Sequence, residues 1–133
     1  MINLLAIVGI FLLFSLLGYF AEYINECYID SCEFHSSFLT SPLPLLPIYG
    51  IGAVILWLLT PYLMKYNIAI QFIIIVIVLT AFEYLSGYLR KRLTGNHSWQ
   101  YSNGSVIDIK HSILWGIGGV VLLHLFNLAQ KYV

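Results

Sequence analysis

The chain has 133 residues, 60% of them hydrophobic, 16% aromatic and only 9% charged, with zero formal net charge and a mean hydropathy of +0.88. Soluble domains carry roughly 25% charged residues, so this composition excludes one, and the neutral balance argues against a nucleic-acid partner. The length allows a single integral membrane domain, residues 1–133, and leaves no room for a second, soluble one.

Four apolar segments follow in chain order, and they predict an all-α membrane protein: a compact four-helix transmembrane bundle. Helices are expected because an open chain in lipid can satisfy its backbone donors and acceptors in no other way. The first segment, Leu4–Tyr23, lacks a basic leader and a small-residue cleavage site, so it reads as a retained span. Between it and the second lie Cys27 and Cys32 with Asp30, Glu33 and His35. That set makes a zinc site conceivable, but two free thiols at a membrane boundary are the preferred reading, and no metal is expected.

The second segment, Ile48–Met64, is entered through Pro42, Pro44 and Pro47 and is interrupted late by Pro61. Prolines lack an amide donor and restrict their predecessors, so the apolar stretch 40–50 predicts a re-entrant or lid segment packed over the bundle, or else an interfacial linker. The third segment, Ile68–Leu89, is long enough to cross a hydrocarbon layer of roughly 30 Å and closes at Arg90-Lys91-Arg92. A polar, turn-rich loop follows, in which Trp99 and Tyr101 suit the headgroup level. The fourth segment, Ser112–Ala129, closes at Gln130-Lys131.

Loop 90–111 carries Arg90, Lys91, Arg92 and Lys110, against Lys65 and Lys131 on the other side. The positive-inside rule then places loops 24–47 and 90–111 in the cytoplasm and both termini outside.

Glu83 stands out because it lies well inside the third apolar run. A carboxyl group at that depth is costly unless it is paired, protonated or turned toward a wet cavity, which makes it a candidate functional residue. Under the four-span topology Glu22 ends span one and His111 opens span four, so both lie toward the same membrane face as Glu83. Two carboxylates at close range favour keeping one of them protonated. Such a group could serve acid–base chemistry, bind a cation or lock helices together. Tyr84 and Tyr88, like Tyr19 and Tyr23, share a helical face at i and i+4, while Tyr62, Tyr66 and Tyr132 suit an interface belt. His124 is expected to reach toward the interface from the last turns of span four. Ser112, Gly116, Gly118 and Gly119 permit close helix approach, within the chain or in a homo-oligomer. No P-loop, His-Glu-x-x-His or Gly-x-Ser-x-Gly motif occurs, so no cofactor is expected.

Five strings carry a resemblance: Ser15-Leu-Leu-Gly-Tyr-Phe-Ala-Glu22, Pro44-Leu-Leu-Pro-Ile-Tyr49-Gly50-Ile-Gly-Ala53, Thr80-Ala-Phe-Glu83-Tyr84-Leu-Ser-Gly87, Trp99-Gln-Tyr101-Ser102 and Ser112-Ile-Leu-Trp115-Gly116. Together they resemble the bacterial ABC-transporter permease family of the CmpB type, also called ABC-transporter type IV, over almost the whole chain. Gln100 stands where that family commonly has Asp, and Leu43 where it usually has Gly. The resemblance implies a small multi-pass protein of the bacterial inner membrane. It would contact membrane lipid and work with a partner membrane subunit or a second copy. Tyr49, Trp99, Tyr101 and Trp115 join Glu22, Glu83, Tyr84 and His111 as candidate site residues through these motifs. The alternatives are an embedded enzyme or lipid-binding protein acting on a lipid headgroup or isoprenoid, and a structural assembly subunit.

Overall fold

The computed structural model describes residues 3–24, 46–95 and 107–133. Among these the chain is all helix: α1 (Leu4–Ile24), α2 (Leu46–Leu63), α3 (Ile68–Thr94) and α4 (Ile109–Gln130). Three of the four are long and apolar enough to cross a membrane, over Leu4–Ala21, Ile68–Leu93 and Ile109–Gln130, and α2 is a shorter apolar helix. Large apolar side chains such as Leu12, Leu16, Ile73, Ile77, Leu114, Val121 and Leu125 are exposed. Apolar surface on that scale marks contact with lipid rather than water. The expected all-helical membrane architecture is therefore what the structure shows.

Helix ends differ from span ends. Basic residues stop an apolar run but not a helix, so α3 continues through Arg90, Lys91 and Arg92. It ends at Gly95, whose φ of 77° lets its N–H reach the Lys91 carbonyl at 2.7 Å. Glycine adopts that left-handed cap without a steric penalty, and cations suit the negative end of the helix dipole. At the other end of α3 the Asn67 side chain accepts the Ile70 N–H at 3.0 Å, an ordinary N-cap. Residues 46–50 of the proline-rich stretch are the opening turns of α2. Pro47 fits there because N–H groups in a first turn have no helical partner. Residues 40–45 of that stretch, like Cys27 and Cys32, fall outside the described residues.

The chain divides into two compact units, Met1–Val54 and Ile55–Val133. In the first, a Cβ on Gly50 of α2 would collide with the Ser15 hydroxyl and the Phe11 carbonyl of α1, so glycine sets how closely these helices approach. Ser15 is buried, and its hydroxyl has no hydrogen-bond partner among the described residues.

In the second unit α3 and α4 run antiparallel. Ile75 and Leu79 oppose Gly119, Phe72 and Val76 oppose Gly116, and Thr80 meets Ser112. Ile75 and Leu123 are fully buried, and Trp57 packs edge-on against Phe126 with ring centroids 5.2 Å apart. In lipid, such close contact and interhelical hydrogen bonds replace the hydrophobic drive as the source of association. Gly116 and Gly119 serve this intrachain contact, whereas Gly118 faces open space.

Two side-chain amides hold the end of α2 to α3 and α4. Pro61 lies inside α2 and has no N–H, so the Trp57 carbonyl four residues back loses its helical donor. The Gln130 amide of α4 fills that place at 2.8 Å. Gln71 of α3, buried, donates to the Leu63 carbonyl at the end of α2 at 3.2 Å and to the Tyr66 carbonyl in the turn that follows at 2.8 Å. Its oxygen meets His124 Nε2 at 3.0 Å. His124 is thus tied into the helix packing rather than reaching for the interface. Thr60 donates back to the Leu56 carbonyl at 2.7 Å, a bond within its own helix.

Candidate functional site

Val76, Thr80, Glu83 and Gly87 follow one another at helical spacing on α3 and form one face. Ser112, Trp115, Gly116 and Gly119 do the same on α4. Where these faces meet, the packing turns polar. Thr80 donates to Ser112 Oγ at 2.9 Å. Next along α3, Glu83 is only 8% exposed, and its Oε2 accepts the Trp115 indole N–H at 3.1 Å.

The antiparallel register alone would set Glu83 beyond Ser112, toward the start of α4. Trp115 nevertheless reaches it, because helical side chains lean toward the N-terminus and cover the preceding turn. Indole supplies a directed hydrogen bond but no charge, so the carboxyl group is oriented without being neutralised by this partner. One turn before Trp115, the His111 Nδ1 lies 2.8 Å from Asp108 Oδ2. The side of α3 and α4 near the start of α4 thus holds a carboxyl group, an indole, two hydroxyls and an imidazole–carboxylate pair. That set can bind a polar or cationic group, or hold and pass a proton.

Of the residues singled out from the sequence, the structure brings Glu83 and Trp115 into direct contact. His111 lies on the same helix one turn from Trp115, paired with Asp108. Tyr84 is exposed, since its position next to Glu83 turns it about 100° around the helix. Tyr49 is half-buried in the first unit, where its ring lies against Gly18. Glu22 occupies the last turns of α1, in that same unit. Trp99 and Tyr101 lie outside the described residues.

Thr80, Asp108, Gln71 and Gln130 were not singled out from the sequence as site or packing residues. Two signals were available for the amides. Gln71 interrupts an otherwise apolar run, and Pro61 requires some donor for the Trp57 carbonyl.

The sequence profile of the family described as Putative ABC-transporter type IV matches residues 9–133. The chain belongs to this family. No curated protein and no solved structure matches it. Within this ABC-transporter type IV chain, the matched region takes in α1 from Gly9 onward, the other three helices whole and every residue of the α3–α4 polar face.

Proposed function

We propose that this chain is a membrane subunit of a transport system, seated in the bacterial inner membrane, which works through a polar site inside its spans centred on Glu83. The observation that carries the reading is a carboxyl group buried within an apolar helix and held by a hydrogen bond from Trp115. An ionisable group is rarely kept at such depth unless it has work to do. His111 with Asp108, and Thr80 with Ser112, provide further polar groups on the same pair of helices. Three long spans and one short one enclose too little to form a path alone, so a second copy or another membrane subunit is required.

The test is transport in cells. A strain lacking the gene is compared with the parent for solutes accumulated and released, read by mass spectrometry of cells and medium. The wild-type gene restores the parental profile. Glu83→Gln, present in the membrane at the wild-type level, does not restore it. Full restoration by Glu83→Gln overturns the reading. An unchanged solute profile together with an altered lipid profile favours the alternative, an embedded enzyme or lipid-binding protein acting on a headgroup or isoprenoid.

A further inference from the structure

Beside the polar face, an open groove of about 460 Å³ runs between α3 and the opening of α4, within the roughly 300–1,000 Å³ typical of small-molecule sites. Its walls are apolar, chiefly Val76, Ile77, Ile109 and Ile113, and at its polar end stand Asp108, Ser112 and Thr80. Ile77 and Ile109 are 62% and 80% exposed, so the groove is open to whatever surrounds the helices.

Asp108 is the informative residue. It occupies the N-cap position of α4 with extended backbone angles, yet its side chain makes no capping bond. An aspartate there normally accepts an N–H of the first turn. Instead Oδ2 takes the His111 ring nitrogen, and Oδ1 has no partner among the described residues. Among the described residues Asp108 is also the sole charged side chain that lines the groove. Ser112 is largely buried and accepts from Thr80, and its own hydroxyl proton is left to donate.

We propose that this groove binds an aminophospholipid of the surrounding membrane. The primary ammonium donates to Asp108, a headgroup oxygen accepts from Ser112, and one acyl chain lies along the isoleucines. Charge complementarity selects the headgroup. A primary ammonium offers N–H donors to a carboxylate, a trimethylammonium offers none, and an anionic glycerol phosphate is repelled. This inference rests on the groove and is independent of the transport reading.

The test uses the full chain in detergent, exchanged with equal amounts of phosphatidylethanolamine, phosphatidylcholine and phosphatidylglycerol of matched acyl chains. Retained lipid is counted by native mass spectrometry. Wild type is expected to prefer phosphatidylethanolamine over phosphatidylcholine by about fivefold, roughly the ratio one net hydrogen bond supplies. Asp108→Asn keeps an acceptor for His111 but removes the charge, and the preference falls to near parity. Ile113→Trp fills the groove from an exposed position without touching Asp108. It lowers retention of the preferred lipid, and it decides the matter if Asp108→Asn fails to fold. Equal retention of the three lipids by wild type overturns the proposal, as does a preference that survives the substitutions. Retention of none means that the groove is covered by something else, which also overturns it.

Discussion

Replacing Gln130 by Ala removes the amide that reaches the Trp57 carbonyl at 2.8 Å. That carbonyl then has no donor, because Pro61 cannot supply the helical one. An orphaned acceptor costs about 1–3 kcal/mol in a soluble interior. Side-chain hydrogen bonds between helices in a bilayer average nearer 0.6 and reach about 1.7 kcal/mol. The bond is short and half-buried, so we expect Gln130→Ala to cost about 1 kcal/mol. The informative comparison is with Pro61→Ala, which restores an N–H four residues after Trp57. In that background the carbonyl is satisfied within α2, and Gln130→Ala should cost less than about 0.3 kcal/mol. Reversible unfolding of the four proteins in mixed micelles, followed by circular dichroism, yields the coupling directly. If Gln130→Ala costs the same in both backgrounds, the amide does not stand in for the missing donor.

Gly116→Leu should weaken the α3–α4 contact by about 1–3 kcal/mol in the same assay, since its side chain meets Val76 and Phe72. Gly118→Ala, which meets open space, should be neutral or stabilising by up to about 1 kcal/mol. Equal effects at the two positions would contradict the packing described. Gln71→Leu removes the amide from the Leu63 and Tyr66 carbonyls and from His124 together, and should lower stability by about 2 kcal/mol; a change below about 0.5 kcal/mol would show those bonds to be incidental. Because the Gln71 nitrogen is committed to carbonyls, its oxygen must face His124, which fixes the imidazole proton on Nε2. Nitrogen NMR of labelled histidine should find that proton on Nε2, and finding it on Nδ1 alone would reverse the assigned amide.

The long apolar runs made α1, α3 and α4 readable, because in lipid a span's length and its need for internal backbone bonds leave only a helix. Ends were less legible. Hydropathy reports where lipid stops, whereas helices stop at caps, so α3 runs past Leu89 to Gly95 and α4 starts before Ser112. Glu83 was legible as an anomaly of polarity, but its partner was not. Trp115 lies 32 positions away and reaches it only through the antiparallel register and the lean of its side chain. His124 was misread for a related reason. Its distance from the end of the span suggested an interfacial role, while its actual partner, Gln71, lies 53 positions away.

The central claim is that Glu83 is kept within its span for work and not to hold the helices together. The most direct test is the unfolding free energy of Glu83→Gln in a lipid environment. Glutamine retains an oxygen to accept the Trp115 N–H, so the account predicts a stability within about 1 kcal/mol of wild type. A loss of about 3 kcal/mol or more, as when one member of a buried charged pair is removed, would contradict it and make the carboxylate a structural element.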